Sequence, residues 1–137
     1  MGVFDGFQGS SIQMTPQIGM AAGLFYVAAA DGHLSPDERG DILKIVPDDN
    51  VLRMGMDFAR QNGWPQFLQS VAAVLTPQQK LCMLLNIADM AMGDGHLAPR
   101  EMQMLNEMQV GFGIDDATVQ PYVQALMTKN NLGVFGW

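Results

Sequence analysis

The chain has 137 residues, of which 48% are hydrophobic and 15% are charged, a balance that favours one compact domain and excludes a disordered chain. Its formal net charge of −7 excludes nucleic acid as a main partner, because phosphate binding requires clustered lysine and arginine, and the seven basic residues are scattered. The single cysteine, Cys82, excludes an internal disulfide. We expect this residue, within KLCMLLNIA, to be buried or half-buried as a small apolar side chain.

Helix signals follow one another along the chain, and no alternating strand pattern is evident. Thr15-Pro16 and Thr76-Pro77 each combine an N-cap residue with a proline in the first helical turn. Pro121 lies within the first half of the seventh predicted helix, so the sequence does not establish whether that half is helical. We predict an all-α fold, a compact bundle of about seven helices. The predicted helices cover about residues 16–30, 36–46, 50–62, 64–75, 77–93, 99–112 and 116–129.

The two ends of the chain differ in composition from the part between them. Residues 1–14 are rich in glycine and serine and are predicted to form a flexible arm, residues 15–131 a single helical domain, and residues 132–137 an aromatic tail. The ends read GVFDGF and GVFGW, which join glycine to bulky apolar residues. Such ends are expected either to bind a protein partner or a membrane surface, or to fold back onto the domain.

No segment of this sequence resembles a membrane span or a secretory signal. No apolar run approaches the roughly 18 residues that a transmembrane helix needs. The first residues, MGVFDGFQGSS, lack the basic segment that begins a signal peptide. We therefore expect a cytoplasmic protein.

One nine-residue stretch occurs twice. ADGHLSPDE covers residues 30–38 and GDGHLAPRE covers residues 93–101, with six of the nine positions identical. In both copies an apolar helix ends before Asp-Gly-His-Leu, and a helix led by proline begins after it. We predict two pseudo-symmetric helix-corner-helix units, formed by the first and second helices and by the fifth and sixth. Gly19 and Gly23, one turn apart, favour close packing of the first helix on the fifth.

Capping alone explains part of this repeat. Ser35 as N-cap and Glu38 at the third helical position form a capping box, which contributes about 1 kcal/mol and needs no ligand. In the second copy Ala98 cannot cap through its side chain, yet Glu101 is present at the equivalent place. A structural role therefore accounts for the first copy better than for the second.

The aspartates of the repeat favour a metal site. Asp31 and Asp94 each follow the C-terminal end of a helix, where a negative charge is unfavourable by roughly 0.3–1 kcal/mol. A bound cation would offset that cost, and hard oxygen ligands favour Ca²⁺, Mg²⁺ or Mn²⁺. His33 and His96, if they pointed inward, would shift the preference towards Mn²⁺ or Zn²⁺, although solvated corner histidines are commoner. The predicted metal ligands are Asp31, Glu38, Asp94 and Glu101, with His33, His96 and Asp89 as possible additional ligands.

Two helix ends, AAADGHLSPDE and AMGDGHLAPRE, within an all-helical domain of this length resemble the TerB-like (tellurite resistance protein B) domain. The resemblance covers residues 15 to 130 approximately. It implies a bacterial, helical and mostly cytoplasmic protein linked to tellurite and chemical-stress resistance. It also implies metal binding through Asp31, Glu38, Asp94 and Glu101, and the family has no established catalytic activity to carry over. Met92-Gly93 departs from the pair of small apolar residues that is typical of the family at this place.

The twelve methionines also allow two interpretations. Flexible thioethers fill irregular cores, which is the interpretation we favour, and they also line adaptable grooves that bind partner proteins. Those that crowd the fifth and sixth helices are Met83, Met90, Met92, Met102, Met104 and Met108.

These observations predict a binding protein and not an enzyme, since no nucleophile–base arrangement or phosphate-binding loop is evident. The expected function is that of a divalent-metal-binding module or adaptor in bacterial tellurite or chemical-stress resistance, with a metal ion and a protein partner. The alternative is a metal-free interaction scaffold in which the acidic corners only cap helices. A hydrolase that uses metal-bridged carboxylates ranks below both.

Overall fold

The computed structural model describes residues 12–30, 36–93 and 97–136, without the side chains of residues 36–38. Within these ranges the chain forms seven α-helices, one short 3-10 helix and no β-strand. The all-α prediction is confirmed, and every predicted helix is present with ends that agree to about two residues. The helices are α1 (Pro16–Ala28), α2 (Pro36–Ile45), α3 (Asp49–Gln61), α4 (Trp64–Val74), α5 (Pro77–Ala91), α6 (Pro99–Gly111) and α7 (Asp116–Asn130), followed by the 3-10 helix Leu132–Phe135. None of the described helices is long and apolar enough to cross a membrane.

Side-chain caps begin the helices where the sequence predicts them. The hydroxyl oxygen of Thr15 accepts a hydrogen bond from the backbone N–H of Ile18, at 3.1 Å. At α5 the capping box is complete, because Thr76 and Gln79 each accept from the other's backbone N–H, at 3.1 and 2.9 Å. The carboxylates of Asp48 and Asp115 accept hydrogen bonds from backbone N–H groups in the first turns of α3 and α7, without the reciprocal bond of a capping box. These contacts satisfy donors that the first turn of a helix leaves unpaired.

The first helix lies at the centre of the fold. It packs against α2, α3, α4, α5 and α6, and nine of its thirteen residues are buried. Small residues allow this close packing. A Cβ atom placed on Gly23 would lie 2.8 Å from Ile87 of α5, and one placed on Gly19 would lie 2.5 Å from Val71 of α4. The expected packing of α1 on α5 is therefore present.

The tightest packing on α1 comes from α3, through a residue that the sequence did not indicate. A Cβ atom on Gly55 would lie 2.5 Å from the Cβ of Ala21 and 2.8 Å from the backbone nitrogen of Ala22. Both partners are fixed parts of α1, so only glycine fits between the two helices at this point.

An aromatic cluster fills the space between α1, α3 and α4. Trp64 and Phe67 stack with their ring centroids 5.4 Å apart, and Tyr26 meets Trp64 edge-on at 5.5 Å. The Tyr26 hydroxyl donates a hydrogen bond of 2.6 Å to the backbone oxygen of Asn62. Burial of this phenol raises its pKa to about 12.

Most methionines in or next to α5 and α6 lie in the core, which agrees with the interpretation that they fill spaces between helices. Met83, Met92, Met104 and Met108 are buried and Met90 is partly buried, whereas Met102 is exposed. Buried thioethers of this kind adapt to the irregular spaces between helices.

The structure decides two questions about individual residues, the burial of Cys82 and the effect of Pro121 on α7. Cys82 is exposed, and the expectation that it would be buried or half-buried is wrong. The apolar face of α5 turns inward at Met83, Leu84 and Ile87, which leaves Cys82 on the outer side. Pro121 does not interrupt α7, which is continuous from Asp116 to Asn130.

Candidate functional site

Each copy of the repeat connects the end of one helix to the start of the next. The first lies between the end of α1 at Ala28 and the start of α2 at Pro36, and the second between the end of α5 at Ala91 and the start of α6 at Pro99. The same number of residues therefore separates the two helices in each unit. Glu38 and Glu101 are each the third residue of the helix that follows the corner.

The backbone ends the first helix of each unit with the same two hydrogen bonds. In the first unit, Ala29 donates to the carbonyl of Phe25 and Ala30 to that of Val27, at 3.0 and 3.1 Å. In the second unit, the equivalent residues Met92 and Gly93 donate to the carbonyls of Ala88 and Met90, at 3.0 and 3.3 Å. No side chain takes part in these four bonds.

Four of the predicted ligands lie in the corners themselves and outside the described residues. They are Asp31, His33, Asp94 and His96. Glu38 lies on α2, but its side chain is not among those described. The predicted metal site, as one cluster of the four carboxylates or as two smaller sites, therefore stays a prediction. Among the residues that the structure does describe, no three His, Cys, Asp or Glu side chains come together as a metal-binding group.

Of the four main predicted ligands, Glu101 is the one whose side chain is described. Its Oε1 accepts a hydrogen bond of 3.1 Å from the backbone N–H of Ala98, the residue before α6. This contact is the half of a capping box that does not require a hydroxyl at the N-cap. It holds the carboxylate against the end of the second corner.

Asp89 binds α7. Both of its carboxylate oxygens lie 3.2 Å from Nζ of Lys129, and Oδ1 also accepts a hydrogen bond of 2.8 Å from the side-chain amide of Asn130. The ion pair is largely open to solvent. The use of Asp89 as an additional metal ligand stays a prediction, and it would require this pair to open.

A cavity of about 580 Å³ opens between the second corner, α6 and α7. Its described lining offers thioethers and the side-chain amides of Asn130 and Asn131, and it contains no carboxylate, imidazole or thiol. This lining suits the binding of an apolar group with a few hydrogen bonds, and it provides no acid–base pair.

Comparison with known proteins relates this geometry to a family. The family model described as tellurite resistance protein TerB matches residues 17–122, which run from the first turn of α1 into α7 and include both corners. Neither the curated proteins nor the solved structures gave a match.

Proposed function

The chain belongs to the TerB family, and from that premise we propose that it is a divalent-metal-binding module that acts as an adaptor in bacterial tellurite or chemical-stress resistance. Membership of the family relates the domain to tellurite resistance. The metal site and the adaptor role are our proposal. The proposed ligands are Asp31 and Glu38 in the first corner and Asp94 and Glu101 in the second.

The observation that carries this proposal is the pair of matching corners. The backbone ends α1 and α5 with hydrogen bonds that involve no side chain, so neither helix end requires an aspartate as a cap. In the sequence, an aspartate nevertheless follows the last residue of each helix by three positions, and the C-terminal end of a helix is the negative end of its dipole. A cation bound at each corner, or one shared between them, would compensate this charge.

The donor chemistry favours a hard divalent ion. Four carboxylates provide up to eight oxygens, which suits Ca²⁺, Mg²⁺ or Mn²⁺ better than a soft metal. At Glu101 the hydrogen bond from Ala98 orients the carboxylate before any metal arrives, so less conformational entropy is lost on binding.

Calorimetric titration of the metal-stripped chain with each of Ca²⁺, Mg²⁺, Mn²⁺ and Zn²⁺ tests this proposal. We expect saturable binding of at least one ion, abolished in Asp31→Asn/Asp94→Asn. The matched control is Asp48→Asn/Asp115→Asn, which removes two charges from helix starts and keeps good N-cap residues. Binding that both double variants weaken equally would indicate general charge attraction and contradict a site at the corners.

A metal-free interaction scaffold is the second candidate, and the cap contact of Glu101 favours it. In that case the acidic corners only begin helices, and binding takes place on exposed apolar side chains such as Val110, which is 80% exposed, and Met127. Cell survival on tellurite separates the two candidates. The metal proposal predicts that the unchanged protein protects cells from tellurite and that Asp31→Asn/Asp94→Asn does not. The scaffold predicts that the variant protects cells as well as the unchanged protein does.

A further inference from the structure

A second surface is an apolar groove of about 400 Å³ between the first turns of α1, the connection from α2 to α3, and α5. We call it the α1–α5 groove. Its lining includes Met20 of α1, Val46 before α3, and Cys82 and Met83 of α5. Among the described residues, none fills it.

The chain enters the fold beside this groove. Ile12 and Met14, the first described apolar residues, are partly buried and pack against the core. The sulfur of Met14 lies 3.5 Å, and the methyl carbon of Met83 3.4 Å, from the position that a Cβ on Gly19 would occupy. Met14 therefore lies next to a residue that lines the groove, and Pro16 and Gln17 form part of the lining.

We propose that residues 1–11 of the same chain dock in the α1–α5 groove through Phe4 and Phe7. At about 3.4 Å per residue, Phe7 can reach about 17 Å from Ile12 and Phe4 about 27 Å, so both can enter a groove that begins beside Pro16. The apolar lining matches the two aromatic side chains. Attachment to the domain makes docking intramolecular, which favours this occupant over a second copy of the chain at low protein concentration.

Cys82 provides the test, because it is the single cysteine, it is exposed on the domain, and it lines the groove. The rate at which a maleimide labels the full chain is compared with that of Phe4→Ser/Phe7→Ser. If residues 1–11 occupy the groove about nine-tenths of the time, labelling of the variant is about tenfold faster. Tyr122→Ser, which removes an exposed aromatic residue from α7, is the control and should leave the rate unchanged.

Two further measurements separate this occupant from others. Intramolecular docking gives a labelling rate that does not depend on protein concentration, whereas protection that grows with concentration indicates a second copy and contradicts the proposal. The ¹³C-methyl resonances of Met20 and Met83 should shift in Phe4→Ser/Phe7→Ser, while that of Met127, in α7, should not. Equal labelling rates and unshifted methyl resonances in the double variant and the unchanged chain would overturn the proposal.

Discussion

At the scale of single residues, the structure depends most on the glycine between α1 and α3. Gly55 lies against the backbone of Ala21 and Ala22, where no flexible side chain can move aside. Elsewhere the helices contain glycines in open space, such as Gly40 of α2, where an added Cβ would meet no atom within 4 Å. The same substitution should therefore have opposite effects at the two sites.

We expect Gly55→Ala to lower the free energy of unfolding by about 1–3 kcal/mol, because the added methyl group forces α3 away from α1. Gly40→Ala should raise it by about 0.5–1 kcal/mol, since alanine restricts the unfolded chain and favours the helix. Urea denaturation of both variants measures the two changes. An unchanged midpoint for Gly55→Ala would show that the helices are not held this closely.

Tyr26 gives the fold a dependence on alkaline pH. Its folded pKa of about 12 lies above the ordinary value of 10.0, because burial disfavours the phenolate. The group therefore contributes stability that is fully present below pH 10 and is lost as the pH rises towards 12. Absorbance titration of Tyr122→Phe, in which Tyr26 is the remaining tyrosine, should show ionisation near pH 12. An ordinary titration near pH 10 in the folded protein would contradict the burial of this phenol.

At the scale of the helices, α7 is held by few buried side chains. Val119 is its one buried residue, and its polar attachment to the rest of the fold includes the bonds from Lys129 and Asn130 to Asp89. Exposed ion pairs contribute about 0–1 kcal/mol, and a hydrogen bond adds a similar amount. These contacts are enough to set how often the end of α7 detaches, but not the stability of the whole domain.

Asp89→Ala should therefore raise amide hydrogen exchange in the C-terminal half of α7 by about fivefold, which corresponds to about 1 kcal/mol. Global unfolding should change little. Asp57→Ala is the matched control, because it breaks an exposed pair with Arg60 within α3 and does not touch α7. Equal exchange in α7 for both variants would show that Asp89 does not hold this helix.

The helices could be predicted from the sequence because their signals are local. Thr76 with Gln79, and Asp48 before Asn50, lie within one turn of the helix that they begin. The contact at Gly55 could not be predicted, since it depends on Ala21, which is far away in the chain. The exposure of Cys82 could not be predicted for a related reason: KLCMLLNIA is apolar on nearly every side, and only the packing of α5 decides which side is exposed.

The candidate site was predictable to a smaller extent. The repeat places Glu38 and Glu101 at equivalent positions of two helices, and the structure confirms the helix starts at Pro36 and Pro99. The spacing of residues cannot establish that the carboxylates of different corners meet, because that depends on how the two units pack. The bond from Ala98 to Glu101 was foreseeable as the remaining half of a capping box.

At the scale of the whole molecule, the excess of acidic residues makes stability depend on cations. The chain has fourteen acidic and seven basic residues, so its negative charges repel one another in the folded state, and any bound cation reduces this repulsion. General screening would act on all exposed carboxylates alike. A specific site would act through the corner aspartates, and the difference between the two effects can be measured as stability.

The most direct measurement is therefore a thermal melt of the metal-stripped protein with and without Ca²⁺, Mg²⁺, Mn²⁺ and Zn²⁺, alongside Asp31→Asn/Asp94→Asn and the control Asp48→Asn/Asp115→Asn. An ion at 100 times its dissociation constant stabilises the fold by roughly 2.7 kcal/mol, which raises the Tm by several degrees. We predict this increase for the unchanged protein and the control, and its loss in the corner variant. No increase with any ion, with the corner variant at least as stable as the unchanged protein, would contradict a metal site at the repeated corners.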